Sequence, residues 1–467
     1  MHAAVRWCSL RFGKGVNPLP NHMRWRVVIA NRTWRTEMSE SKKQFKRRRV
    51  VVIACKRTPS LSMARQVSAK DLVGEAVRAA IAEAGIIDVS KIGALAAGQV
   101  AQDAFTSNFA KHAAEAGGLK DSTHCLTINR QCSSSMDASR EIFRQINEGY
   151  IEIGIAAGAE SMADTSYLVP SSVRNSGFNR RLRNVTTKPW GKWLTMFGFG
   201  KHYGPGLVFG AYGESGLATS LNAIDPRRAG MAKTAQTVSN LCGIKRGDAD
   251  ALAVLSHERA LAGRERMALE IAPFLVPGVG LVTEDEGPRA TTLEKVAGLR
   301  ALPDTGGLVT AANASGMGGC GVAVVLASEE AAIKLGATIL AEVVDFEAAG
   351  CDAMTMGLGP VPAVQRLLAR RHMSVSNIGY WEINEAFAHI WAAIMKVLGI
   401  DVNKSNLYGG GISIGHPLGA TGARLLGMIA REVYLRRHEP GMEYALGTQC
   451  AAGGMGTAVL VKRYEPD

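Results

Sequence analysis

From residue 50 onward the chain alternates short β-branched apolar runs with longer stretches in which apolar residues recur every three or four positions. Val50-Val51-Val52-Ile53 has the form of a buried strand. Over 69–84, Leu72, Val73, Ala76, Val77, Ala80 and Ile81 fall on one stripe, the period of a helix packed on a sheet. Residues 125–131 and 151–157 predict strands, and a helix runs between them to about Glu148. The alternation resumes after 330: Asn384-Glu385-Ala386-Phe387 follows a strand and precedes a helix over 388–398. Leu407 leads into a glycine-rich segment, a helix of about 420–434 and a strand over 443–449. Such alternation predicts an α/β fold of parallel sheets covered by helices.

The two ends of this body resemble each other. A strand running into Cys132-Ser133-Ser134-Ser135, then a helix, then a strand is echoed by Leu407, Gly409-Gly410-Gly411, His416-Pro417, a helix and the strand that ends at Cys450. Two copies of one βαβ-rich unit would put Cys132 and His416 at matching strand-to-helix turns. Between the copies, residues 165–213 hold seven Lys/Arg and no Asp or Glu, interleaved with Trp190, Trp193, Phe197, Phe199 and Tyr203. Their glycines and prolines argue for an inserted loop region, followed by helices over about 227–268.

With 467 residues, 47% apolar and 20% charged, the chain can bury a large core, which excludes a disordered, collagenous or small disulfide-stapled protein. No run of 18 apolar residues is free of charge, so no transmembrane helix is predicted. The net charge of +13 suggests nucleic acid until it is located: residues 1–50 carry 13 Lys/Arg against Glu37 and Glu40, a balance of +11, leaving +2 for the rest. The basic stretch reads as an N-terminal extension of the mitochondrial targeting type ending in Lys46-Arg47-Arg48-Arg49, with a disordered leader as the alternative. Nucleic-acid binding is disfavoured for the body. The acid-free stretch, with its basic residues and aromatics from 174 to 203, suits either an anionic membrane surface or acidic partner, or a loop whose cations meet substrate phosphates.

Eight cysteines are scattered without a Cys-x-x-Cys pair, and no His cluster stands at metal-ligand spacing, so no metal site is predicted. Cys132, in Asn129-Arg130-Gln131-Cys132-Ser133-Ser134, lies just before a helix, where unpaired N–H groups favour a thiolate. His416 lies in Gly409-Gly-Gly-Ile-Ser-Ile-Gly-His416-Pro417-Leu-Gly-Ala-Thr-Gly422, where glycines allow close approach of a ligand or backbone and Pro417 fits a first helical position. The segment lacks the Lys-Ser/Thr of a nucleotide-phosphate loop. Cys450, in Gln449-Cys450-Ala451-Ala452-Gly453-Gly454, and Asn384 are unremarkable singly. The scatter of cysteines suggests a reducing compartment with one or two reactive thiols, and most of the cysteines are expected to be buried structural residues.

Together these segments resemble the thiolase family over residues 49–463. The resemblance rests on NRQCSS at 129–134, GAESM at 158–162, MAKTAQ at 231–236, VTAANASG at 309–316, NEAF at 384–387, GGGISIGHPLGATGARL at 409–425 and CAAGGMG at 450–456. It implies duplicated βαβαβαββ halves forming a five-layered α-β-α-β-α body with an inserted loop domain. The implied boundaries are a basic extension over 1–48, a first half over 49–163 plus 296–331, a loop domain covering the coenzyme A site over 164–295, and a second half over 332–467. The implied reaction is cleavage of a 3-ketoacyl-CoA by CoA to acetyl-CoA and a shortened acyl-CoA, with CoA as co-substrate and no permanently bound cofactor. Cys132 would be the nucleophile, His416 its base, Cys450 the second acid/base and Asn384 an oxyanion donor acting through a water. Ser315, Ala452 and Gly453 would lie on the CoA side.

The resemblance also implies CoA and acyl-CoA partners, a homodimer or tetramer, and mitochondrial residence, with a peroxisome-like organelle as the alternative. CAAGG and the VPG…LEK stretch at 276–295 look most like the thiolase subunit of the fatty-acid trifunctional complex, which would add a multifunctional β-oxidation partner; NRQCSS and NEAF look more like other branches. Two further readings are an acetoacetyl-CoA thiolase working in the condensing direction and an acyl-CoA-binding protein without turnover. Three departures bear on the site. Ala452 stands where Gly is common, and Ala resists a left-handed backbone. Met317-Gly318-Gly319-Cys320 replaces Asp-Gly-Ala after the Asn-Ala-Ser-Gly motif, and Ser135-Met136 replaces Gly-Leu.

Overall fold

The structure, a computed structural model, describes residues 47–62, 65–101, 106–162 and 230–466. The main elements of the first half are β1 (Val50–Arg57), α1 (Ala69–Glu83), β2 (Ile92–Gly98), α2 (Phe109–Ala116), β3 (His124–Ile128), α3 (Ser134–Asn147) and β4 (Ile153–Glu160). Helices α4 (Met231–Cys242) and α5 (Arg246–Ala262) precede β5 (Gly318–Ser328). The rest comprises β6 (Ala341–Gly350), α6 (Pro360–Arg370), β7 (Ile378–Ile383), α7 (Ala388–Leu398), α8 (Thr421–Leu435), β8 (Tyr444–Ala451) and β9 (Met455–Lys462). Local chemistry sets several starts: the Ser68 and Asn108 side chains accept from backbone N–H groups in the first turns of α1 and α2.

The strands follow the order β7-β8-β9-β6-β1-β5-β4-β2-β3, with Leu61–Ser62 paired to β5 off this path. In the first half β2 runs parallel to β3 and β4, while β4–β5 and β5–β1 are antiparallel. The second half repeats this: β7 runs parallel to β8, and β8–β9 and β9–β6 are antiparallel. The halves meet where β1 touches β6, Val51 opposite Glu342 and Val52 opposite Ala341. The position matching β3 is reduced to a parallel bridge between Trp381 and Ser405.

Why the strands read as continuous apolar runs is clear from their two covered faces. Val51, Ile53, Val325 and Ile155 pack under α1 and α2. Val50, Val52, Val322 and Val324 face the opposite way, into one core with Met136 and Ile142 of α3, Leu425 and Ile429 of α8, and Val459 and Val461 of β9. Leu460, Trp381 and Leu446 then meet Leu367 of α6 and Trp391 of α7 on the far side. The layers are therefore α1/α2, half-sheet, α3/α8, half-sheet, α6/α7. Every residue of α8 from Thr421 to Val433 is buried, as expected of a middle-layer helix. Two of its charges are paired inside: Arg431 with Glu83 at 2.6 Å, and Glu432, which also accepts from Tyr408 at 2.8 Å, with Arg266 at 3.1 Å.

The described body begins at Arg47, and the basic run assigned to the extension is tied to it: Arg48 pairs with Glu152, and Arg49 with Glu329 and Glu342. Of the seven described cysteines, Cys55, Cys320 and Cys450 are buried, and the other four are partly exposed rather than core residues. Pro417 does not start a helix; it sits in a turn whose carbonyl accepts from Ala420 and Thr421, and α8 begins afterwards. The altered segment 317–320 is bonded in place. Gly318 pairs with Ser62, the Cys320 thiol donates to the Thr58 carbonyl at 3.3 Å, and the Gly321 N–H donates to Thr58 Oγ1 at 3.0 Å. Any Cβ added at Gly321 would collide with the backbone of Leu72 and Val73 in α1. Gly321→Ala is expected to destabilise the fold by about 1–3 kcal/mol, the usual cost of overpacking a fitted core, read as a lower urea midpoint at unchanged m.

Candidate active site

Cys132 stands in the turn between β3 and α3. The turn is tight: Gln131 takes a positive φ of 51°, Asn129 Oδ1 accepts the Gln131 N–H at 3.0 Å, and Ser134 Oγ both accepts from Arg130 N–H at 2.9 Å and donates to Gln131 O at 2.6 Å. The result is a partly buried thiol that receives the Ala452 N–H and its own. Burial pushes the thiol up to about 11, with the Glu160 carboxylate adding to it, and the two N–H donors offset only part of that. The easily ionised thiol expected from the helix terminus is thus corrected: desolvation outweighs the amides, and the resting group is SH.

Cys450, near the end of β8, is fully buried, and its thiol is pushed up by burial and by Cys132 and Cys351 nearby. Its resolved neighbours are two thiols, and with burial they favour the protonated form. Two residues on, Ala452 is buried with an ordinary backbone, and the left-handed conformations fall on Gly453 and Gly454 (φ 90° and 89°). The alanine therefore keeps its N–H aimed at Cys132 without strain.

His416 is buried, and its ring is held at both nitrogens. Nδ1 lies 2.7 Å from Thr421 Oγ1, while that hydroxyl lies 2.9 Å from the Pro417 carbonyl to which it donates. With its one proton committed, Thr421 accepts from Nδ1–H, and Nε2 is left as the acceptor facing Asn384 Nδ2 at 3.3 Å. Burial and the nearby Arg424 push the imidazole down to about 3, so it is neutral throughout the physiological range. Asn384 follows β7, its N–H bound to Thr448 of the neighbouring β8 at 2.9 Å, and its buried Oδ1 has no protein partner. Ser315 is fixed beside it by a bond to the Ala386 carbonyl at 3.1 Å, and the next carbonyl, of Gly316, accepts the His416 N–H at 2.9 Å.

Two buried carboxylates that sequence reasoning left without a role support this arrangement. Glu385 accepts from Asn406 Nδ2 at 2.8 Å, Ser256 Oγ at 2.7 Å and Ile412 N–H at 3.1 Å, and so fastens the glycine-rich segment. Gly410 has no room for a Cβ against it. Glu160 accepts from three backbone N–H groups on two loops. Their signal was present in NEAF and GAESM, as acids inside apolar strand ends. Ser135 Oγ accepts the Ala423 N–H at 2.9 Å and Met136 is buried in the central core, so together they bind α3 to α8.

The set thus brings Cys132, Cys450, Asn384 and His416 to adjoining strand ends and helix starts. A thiol that accepts backbone N–H groups, a neutral imidazole acceptor and a second buried thiol suit acyl transfer through a thioester. The basic aromatic stretch 174–203 lies outside the described residues.

Comparison with known proteins agrees with this geometry. Residues 50–330 match the family model described as thiolase, N-terminal domain, and residues 337–463 that described as thiolase, C-terminal domain. The mitochondrial 3-ketoacyl-CoA thiolase of Mus musculus is 33% identical over 425 residues, covering 89% of this chain and 98% of the relative. A beta-ketoadipyl-CoA thiolase of Pseudomonas knackmussii is 34% identical over 410 residues, covering 85% and 94%. The crystal structure of human mitochondrial 3-ketoacyl-CoA thiolase in complex with CoA aligns with a TM-score of 0.75 at 32% identity, covering 90% of this chain and 98% of that one. With both halves matched and the relatives covered almost end to end, the chain belongs to the thiolase family of acyltransferases.

Proposed function

We propose that the protein is a 3-ketoacyl-CoA thiolase that degrades its substrate by two carbons per turnover through an acyl thioester on Cys132. The observation that carries this reading is a thiol that accepts the Ala452 N–H, together with a His416 whose tautomer leaves Nε2 unprotonated beside Asn384 Nδ2. Cys132 attacks the 3-keto carbon as its proton passes to His416, so charge develops only as the bond forms. Asn384, through a water on its unpartnered side chain, and His416 stabilise the first oxyanion; the Ala452 N–H serves the thioester carbonyl. The carbon–carbon bond breaks, and Cys450 gives its proton to the departing acetyl-CoA enolate. CoA then surrenders its thiol proton to Cys450 and attacks the thioester, and Cys132 leaves as thiolate and recovers its proton from His416.

In this reading Ser315 and Gly453 border the CoA thiol and pantetheine, and the loop domain expected over 164–295, of which 164–229 lie outside the described residues, covers the coenzyme. The halves 49–163 with 296–331 and 332–467 each supply part of the machinery. The arginine-rich stretch before residue 47 and the mitochondrial relatives support import into mitochondria and a place in β-oxidation as an oligomer. Thiolysis of acetoacetyl-CoA and of a long-chain 3-ketoacyl-CoA, with acetyl-CoA quantified as product, tests the proposal. Both are expected to be cleaved, and their ratio sets the chain-length class. A folded protein that binds CoA but forms no acetyl-CoA from either would overturn it.

A further inference from the structure

The segment that carries His416 meets the strand ends of the first half along a seam from which side chains are absent. A Cβ at Gly158, near the end of β4, would collide with the Gly419 carbonyl, and one at Gly98, ending β2, would collide with the backbone of Ser134 and Ser135. A Cβ at Gly419 would lie 2.6 Å from the Ala159 carbonyl and 2.8 Å from that of Gly98. Three glycines thus let the turn after His416 lie directly on β2, β4 and the first turn of α3, the helix that Cys132 precedes.

Glu160 is placed at this seam. It is completely buried, and among the described residues no cation pairs with it. Its Oε2 accepts the Gly419 N–H at 2.9 Å and the Val100 N–H at 3.2 Å, and its Oε1 accepts the Ala101 N–H at 2.9 Å. One carboxylate therefore ties a loop of the second half to a loop of the first, spanning 259 positions in sequence to reach Gly419. The thiol of Cys132 is within its field, and Cys320, its cross-strand partner, has its own thiol turned to Thr58. An unpaired buried carboxylate is costly, and a structural tie between backbone amides would not require one. Burial raises its carboxyl to about 7 even against the three N–H donors, which favour the ionised form.

We propose that Glu160 is a positioning residue for acyl transfer: by bonding Gly419 to Val100 and Ala101 it sets the spacing of the His416 turn against Cys132. Its charge adds to burial in disfavouring the Cys132 thiolate. This rests on the assignment of Cys132 and His416 as the reacting pair.

Two variants separate reach from charge. Glu160→Gln keeps the size and removes the charge, whereas Glu160→Asp keeps the charge and is one methylene too short. Both are expected to lower kcat for acetoacetyl-CoA thiolysis by on the order of 10², with KM little changed, since misplacing reacting groups by about 1 Å costs that much. The pH midpoint for iodoacetamide capture of Cys132, followed by mass of its peptide, is expected to move down in Glu160→Gln and to stay at the wild-type value in Glu160→Asp. A residue that merely braced the fold would leave that midpoint in place. A folded Glu160→Gln with kcat within about two-fold of wild type, a loss carried by KM, or an unmoved midpoint overturns the proposal. Should the Gln variant not fold, Glu160→Asp decides alone: kcat lowered at unchanged KM and midpoint supports it, and any other result overturns it. Cys132→Ala is assayed alongside. Activity in that variant would remove the reading of the site itself, whereas an inactive Cys132→Ala with a fully active Glu160→Gln removes only the role of Glu160.

Discussion

Replacing Cys132 with alanine is expected to cut thiolysis by roughly 10⁴–10⁶-fold, the scale seen when a covalent nucleophile is deleted. Among the described residues no other thiol is placed to substitute for it: Cys450, which interacts with Cys132, is fixed near the end of β8, buried, and lacks the Ala452 amide that caps Cys132. The wild-type pH dependence follows from the same geometry. Because burial carries the Cys132 thiol up to about 11, its alkylation in the free enzyme should keep accelerating as pH rises well past the ordinary thiol range. Because the imidazole of His416 is pushed down to about 3, kcat/KM should show no acid limb from an ordinary histidine between pH 5 and 8. Unchanged activity in a folded Cys132→Ala, or an alkylation midpoint at or below neutrality, would contradict the assignment.

Removing the second thiol should affect a different step. Cys450→Ala is expected to lower kcat by about 10²–10⁴-fold, the range for a lost general acid–base group. Iodoacetamide should still label Cys132 stoichiometrically. The enolate of acetyl-CoA must take up one proton in cleavage, and CoA must lose one in the next half-reaction; a group that rests protonated serves the first, and its thiolate serves the second. Uptake of solvent deuterium into the methyl of acetyl-CoA should stop in Cys450→Ala. Exchange at the wild-type rate would assign that proton to another residue.

How much of this was legible depended on the range of the interactions involved. Helix α7 occupies 388–398 as its periodicity predicts, and β1 and α1 begin where the Val run and the apolar stripe begin. The duplicated halves and the motifs around Cys132, Asn384, His416 and Cys450 were readable because each is contiguous. The protonation of both thiols was not, since desolvation depends on what covers a residue and not on its neighbours in sequence. Pro417 was misplaced because a proline fits a turn as well as a first helical position, and only its carbonyl contacts distinguish them. Arg48 and Arg49 looked like the end of a basic leader because their carboxylate partners lie over 100 to nearly 300 positions away. Glu160 escaped for the same reason, its partners converging only when the two halves pack, and Glu385 because Asn406, Ile412 and Ser256 reach it from three separate segments.

The sharing of the central layer also constrains the order of events on the ribosome. The inward face of α3, with Met136 and Ile142, is closed by Leu425 and Ile429 of α8 and by Val459 of β9, so the first half cannot bury its own inner surface. A nascent chain that has not yet reached residue 421 would expose that apolar face. Such a species is prone to aggregate. Synthesis of the final fifty residues is then both the moment at which the fold closes and the moment at which His416 and Cys450 first meet Cys132. No truncated product could carry out partial chemistry.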